Sequence, residues 1–111
     1  MLQWVKDYIT NNEKNLVFDD SPYSVEDNVA ILNVDTTLGA ITINLQEIVI
    51  EYNRDYRLVI VDSGNAGVNN ITINASGSDL INNLPSLVIS NNGDKVVIDI
   101  IDVNNYSAII Y

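Results

Sequence analysis

The chain of 111 residues contains no cysteine and no histidine. The first absence removes a disulfide framework, a thiol nucleophile and the soft ligands of a zinc site. The second removes the side chain most often used as a general base near neutral pH. Positive charge is scarce as well: five Lys and Arg face fifteen Asp and Glu, for a net charge of −10. A face able to neutralise nucleic-acid phosphates cannot be assembled from so few cations, which excludes nucleic acid as a partner. No apolar run approaches the ~20 residues a membrane helix needs. The first seven residues lack the basic stretch and following apolar segment of a secretory signal. The expectation is a soluble protein made in a cytoplasm.

What is present is aliphatic. Hydrophobic residues make up 47% of the chain and aromatic residues only 7%. The core must therefore come from Ile, Val and Leu, whose branched side chains suit a pleated surface. Aliphatic runs are separated by clusters of Asn, Gly, Ser and Asp, the residues that turn chains. The reading is an all-β domain, an antiparallel β-sandwich or prism-like fold, spanning 16–111. Strands are expected near 16–19, 23–34, 40–45, 48–52, 56–62, 70–75, 86–90, 95–103 and 106–111. The strongest hairpin signal is Asn91-Asn92-Gly93-Asp94, because Asn-Gly readily adopts positive φ. Ile41-Thr42-Ile43-Asn44 and Ile71-Thr72-Ile73-Asn74 repeat one alternating pattern, each after a Val-Asp-Thr or Val-Asp-Ser turn.

Ahead of this domain, residues 1–15 form a separate unit with a short α-helix over 2–13. Leu2, Val5 and Ile9 fall on one face beside Trp4 and Tyr8. A helix this short needs something to pack on. Trp4, Val5, Tyr8 and Ile9 are therefore candidates for attachment or assembly, the other reading being a helix folded back on its own β domain.

Two strands are apolar on both faces: Leu58, Val59, Ile60 and Val61 in one, Val97, Ile98, Ile100 and Ile101 in the other. An antiparallel strand of this kind must be covered on both sides. These eight residues are expected at a subunit interface, most simply in a homo-oligomer. The alternative is the thick core of a two-sheet sandwich. Asp99, in the same run, is either protection for an edge strand or a buried acid paired with Arg54 or Arg57.

The order of the turn words is informative. An opening strand leads to Val34-Asp35-Thr36-Thr37, and the Ile41–Leu45 strand follows. Then come Asp62-Ser63-Gly64-Asn65-Ala66, the segment Asn69–Gly77, a Ser78–Ile81 step, and a closing stretch from Asp102 to Tyr111. Over about Tyr23–Tyr111 this resembles a small β domain of bacteriophage tail-fibre and head-fibre type virion appendages. The final strand carries Tyr106 where that domain usually has Trp, and Gln46–Tyr56 is acidic and strand-like where its linker usually contains Pro and Gly. The resemblance implies a homotrimer built into a fibre, spike or capsid decoration, held to a capsid or tail protein and in some cases touching host-surface glycans. The expected location is then the virion, and the function structural. As a glycan-binding adhesin module, the alternative, the chain would display Tyr52, Tyr56, Tyr106 and Tyr111 near its turns.

Catalysis is not expected. Asp19-Asp20 and Glu26-Asp27 are the nearest carboxylate pairs, but neighbours on a strand point to opposite faces, and no spacing sets them across a cleft. Asp62, Asn65 and Asp79 are the oxygen donors most easily imagined around calcium, without an EF-hand loop to hold them. No cofactor or metal site is assigned. The glycosylation sequons at Asn70, Asn74 and Asn105 are those an Asn-, Ser- and Thr-rich chain produces by chance.

Overall fold

A computed structural model describes residues 12–49 and 56–111. Among these described residues ten strands run in order: β1 Glu13–Leu16, β2 Tyr23–Ser24, β3 Ile31–Val34, β4 Ile41–Asn44, β5 Arg57–Asp62, β6 Ile71–Asn74, β7 Leu80–Ile81, β8 Ser86–Ile89, β9 Lys95–Asp102 and β10 Asn105–Ile110. A single 3-10 turn, Phe18–Asp20, follows β1, and the Asp20 carboxylate accepts the Val17 N–H at 2.9 Å.

The domain is all-β, but its sheets are mixed rather than antiparallel. Sheet A has the order β1-β3-β5-β9-β10-β7 and sheet B the order β2-β4-β6-β8. From β1 to β6 the chain alternates between the sheets, and within each sheet successive strands lie parallel. This is a stack of three two-sheeted coils. Antiparallel β8 and β9 close it on the last coil, and β10 pairs with β9. Alternation of apolar and polar residues is the same for parallel and antiparallel strands, so the pattern alone did not separate them. The turns carry the chain across to the opposite sheet instead of returning it within one.

Stacking puts like on like. Ile41, Thr42, Ile43 and Asn44 lie directly against Ile71, Thr72, Ile73 and Asn74. The repeated tetrapeptide is thus two neighbouring rungs, its isoleucines all fully buried. Its asparagines hydrogen-bond to each other, Asn74 Nδ2 donating to Asn44 Oδ1 at 3.2 Å, and Asn33 does the same to Asn15 at 3.1 Å. The inward faces of both sheets share one aliphatic core that includes Leu16, Leu32, Val34, Leu58, Ile60, Ile89, Val96 and Ile98.

Several boundaries differ from expectation. The stretch 23–34 is two strands, because Glu26–Val29 makes a turn in which Val29 N–H reaches Glu26 O at 3.2 Å. Glu13–Asn15, assigned to the N-terminal unit, belong to β1 and pair with β3. The rest of the expected helix, with Trp4, Val5, Tyr8 and Ile9, lies outside the described residues. Asn91–Asp94 is a corner between β8 in sheet B and β9 in sheet A, not a hairpin, although Gly93 does have φ +78°. The actual hairpin joins β9 to β10, with Asn104 at φ +62°. The two-residue β7 was not anticipated; Asn82 and Asn83, both at positive φ, turn the chain after it.

One inward position breaks the apolar rule. Leu16 and Val34 are paired in the first two coils, and the third coil puts Asp62 against Val34. Asp62 is buried, and its carboxylate accepts Thr36 Oγ1–H at 2.8 Å and the N–H groups of Gly93 at 2.9 Å, Gly64 at 3.2 Å and Ala66 at 3.3 Å. The turn holding these donors is tight. A Cβ on Gly64 would come within 2.5 Å of the Thr36 backbone nitrogen. Burial pushes the Asp62 carboxyl up, but the donors, led by Gly93, outweigh it and hold it below the ordinary carboxylate value.

A carboxyl held low contributes stability that is complete above its unfolded value, ~3.9, and is lost as pH falls through its folded value. Urea unfolding of Asp62→Asn at neutral pH is expected to show a loss of about 2–4 kcal/mol, and the gap to wild type should narrow on acidification below about pH 4. Asp62→Val, which repeats the residue of the preceding coil, should also destabilise, since it strands buried N–H donors.

Candidate interaction surface

Among the described residues, the outward face of sheet A is where the register lines up aliphatic side chains across several strands. Ile31 on β3 is paired with Val59 on β5, Val59 with Val97 on β9, and Val97 with Ile109 on β10. The three inner members are half-buried by their neighbours, while Ile109 is 53% exposed. Val61 and Ile101, the latter 63% exposed, extend the apolar surface from the same strands.

Polar rows flank this strip. On one side Asn15, Asn33, Val61 and Lys95 are successive partners, and Lys95 is joined to Tyr111 by main-chain hydrogen bonds. On the other, Arg57 pairs with Asp99, its Nε donating to Asp99 Oδ1 at 2.9 Å and its Nη2 to Oδ2 at 3.4 Å. Hydrogen bonding to Asp99 and its charge raise the Arg57 pKa. The charged residues at outward positions of these strands, Glu13, Arg57, Lys95, Asp99 and Asp102, carry two positive charges against three negative ones. The face is near neutral in a chain whose net charge is −10.

The eight expected interface residues divide between the two sides of the sheet. Val59, Val61, Val97 and Ile101 lie on the outward face. Leu58, Ile60 and Ile98 are fully buried in the chain's own core, and Ile100 packs against it. The sandwich core thus accounts for one face of these strands, and the other is not covered by a further layer among the described residues. Ile31 and Ile109, which complete the strip, were not singled out; their relation to Val59 and Val97 exists only through the register. Asp99 is not an edge residue, because β9 lies between β5 and β10, and its role is the pairing with Arg57.

A second set of exposed apolar residues also escaped notice. Phe18, Leu38 and Val68 sit one per coil, each five residues ahead of the mutually paired positions Tyr23, Ile43 and Ile73. Asp19 and Asp20 follow Phe18 directly, and Asp35 lies three residues before Leu38.

The tyrosines are mostly internal. Tyr106 is buried and its hydroxyl donates to Gln46 O at 2.7 Å, with the Tyr56 ring edge-on at 5.7 Å between centroids. The Tyr56 hydroxyl has no hydrogen-bond partner among the described residues. Burial, aided by Asp79, pushes the Tyr106 phenol up to about 12. Burial and the Glu26 carboxylate push Tyr23 to about 12 as well, and burial raises Tyr56. Tyr111 is 66% exposed, with the Lys95 ammonium 5.3 Å from its ring centre. Tyr52 lies outside the described residues.

Five of the carboxylates considered earlier, Asp20, Glu26, Asp27, Asp62 and Asp79, accept hydrogen bonds within the domain. Glu26 accepts from the Tyr23 hydroxyl at 3.2 Å, and Asp27 from Gln46 Nε2 at 2.6 Å. Asp62 is occupied by its turn donors, whereas Asp79 accepts the Ile48 N–H at 2.8 Å. Among the described residues no group of three or more acids is placed to hold a metal ion, and no helix is long and apolar enough to cross a membrane.

The chain matches no protein-family model, and no curated protein matches it in sequence.

The two neighbouring tyrosines make a controlled pair. Tyr106→Phe removes a buried hydrogen bond and should lower stability by about 1 kcal/mol, while Tyr56→Phe removes a hydroxyl without such a partner and should leave stability equal or higher. Paired denaturation curves distinguish the two. Because the folded phenols of Tyr23 and Tyr106 are raised, their contribution is intact below the unfolded value of about 10 and is lost as pH climbs towards 12. Absorbance titration should show these phenols ionising together with alkaline unfolding.

Proposed function

We propose that the chain is a structural protein of a bacteriophage particle, a homotrimeric appendage of the head-fibre, decoration or short tail-fibre kind. Its work is assembly. Copies associate through the outward face of sheet A, and the segment carrying Trp4, Val5, Tyr8 and Ile9 attaches the assembly to a capsid or tail protein. The observation that carries this reading is the strip Ile31–Val59–Val97–Ile109, continuous over four strands and near neutral in an acidic chain. Like charge repels copies elsewhere on the molecule, whereas here aliphatic area can be removed from water. The order of turn words from Val34 to Tyr111 supports the choice of a virion appendage over other structural roles. The adhesin reading has less support, because Tyr106 and Tyr56 are committed to the interior and Tyr111 alone of the four tyrosines is displayed among the described residues.

Sedimentation or native mass of the full chain at low micromolar concentration is expected to give a trimer. Val59→Glu combined with Val97→Glu, both outward, should convert it to a monomer with an unchanged β-sheet circular dichroism spectrum. A monomeric wild-type chain would overturn the assembly reading.

A further inference from the structure

The chain contains a single Asn-Gly dipeptide, Asn92-Gly93, at the exposed corner between β8 and β9. Such a pair is chemically labile, because glycine places no side chain in the way of its own amide nitrogen. That nitrogen attacks the Asn carboxamide carbon. A C–N bond forms, the bond to the side-chain nitrogen breaks, and ammonia leaves with the transferred proton. The product is a cyclic succinimide, which water opens to aspartate or isoaspartate. The only co-reactant is water.

In the folded chain both reacting groups are engaged elsewhere. The Gly93 N–H, which must lose its proton, donates to Asp62 Oδ2 at 2.9 Å. An anionic acceptor makes this a strong hydrogen bond, and it opposes negative charge developing on the same nitrogen. The Asn92 carboxamide, which must swing back over its own backbone, is held by Gly67 N–H donating to Asn92 Oδ1 at 2.7 Å. The corner is fastened further by Asp62 N–H to Asp94 O at 3.0 Å. We infer that Asn92-Gly93 is a deamidation site that the native fold keeps closed, with the Asp62 carboxylate and the Gly67 N–H as its two restraints.

The modification runs in one direction only. Conversion to isoaspartate inserts an extra backbone atom between residues 92 and 93 and moves the Gly93 N–H away from Asp62. Conversion to aspartate adds a negative charge next to a corner that already carries Asp62 and Asp94. Once the clasp has opened long enough to react, its original geometry is not restored.

The test is timed incubation of the full chain at mildly alkaline pH, with peptide mapping of isoaspartate and aspartate at residue 92. Hydrogen exchange of the Gly93 amide, read by NMR, is followed in parallel. The native chain should deamidate at least about tenfold more slowly than the same chain unfolded in urea, because the reaction scales with the population of the open form. Thr36→Val loosens the Asp62 network without touching residues 92 or 93, and Asp62→Asn removes the negative charge and one of the two acceptor oxygens. In both, deamidation should accelerate in step with Gly93 exchange. If Asp62→Asn does not fold, Thr36→Val keeps the comparison. Native deamidation as fast as in the unfolded chain, while the Gly93 amide stays protected, would overturn the inference. So would faster exchange in Thr36→Val without faster deamidation.

Discussion

The fold depends on a carboxylate placed where the coil pattern calls for an aliphatic side chain. Asp62 continues the ladder of Leu16 and Val34 in the third coil, and it is the point where stacking by apolar burial gives way to closure by hydrogen bonding. Its oxygens gather a hydroxyl from the second coil's turn, two N–H groups from its own turn and one from the β8–β9 corner. Thr36 Oγ1 in turn accepts the Asn65 N–H at 2.6 Å, and Asn69 Nδ2 reaches Thr36 O at 2.8 Å. A buried charge is costly unless every acceptor site is used. Here it is used to fasten three segments far apart in sequence, which aliphatic packing, being non-directional, does not specify.

The rest of the stack is economical. Most of its rungs are only two to four residues long; all but β2, which uses Tyr23, place Ile, Leu or Val between the sheets, and β1, β3, β4 and β6 carry Asn outside. Parallel stacking needs this repetition, because a side chain faces the same kind of side chain one rung away. The Asn15–Asn33 and Asn44–Asn74 pairs satisfy one another for that reason. Sheet A then changes character after β5, where antiparallel β9 and β10 close the stack and widen the outward face.

Much of this was legible. The strands at 57–62, 71–74, 86–89 and 95–102 follow from alternation and bracketing turn residues, and so does the all-β class. The relation of Ile41–Asn44 to Ile71–Asn74 was visible as repetition, but repetition does not state adjacency. The parallel topology was hidden for the same physical reason: a strand's pattern records which side is buried, not the direction of its neighbour. Asp62 stood out as a turn residue and a conceivable calcium donor but not as a buried acid, since its donors come from residues up to 31 positions away. The candidate surface was half legible. Val59 and Val97 belonged to runs apolar on both faces, while Ile31 and Ile109 join them only after the register is known, and the same runs contain the core residues Leu58, Ile60 and Ile98.

The coils also differ in length without disturbing their register. Paired positions are 18 residues apart between Glu13 and Ile31 but 28 apart between Ile31 and Val59, and in sheet B the separations are 20 from Tyr23 to Ile43 and 30 from Ile43 to Ile73. The rungs therefore constrain one another, while the chain between them is free to lengthen. Selection acting on such an architecture would hold a sparse set of inward aliphatic positions and let the connecting segments drift, so that two descendants of one ancestor could share their ladders and little else. The same latitude marks the connections, rather than the strands, as the natural places for new sequence to be accommodated.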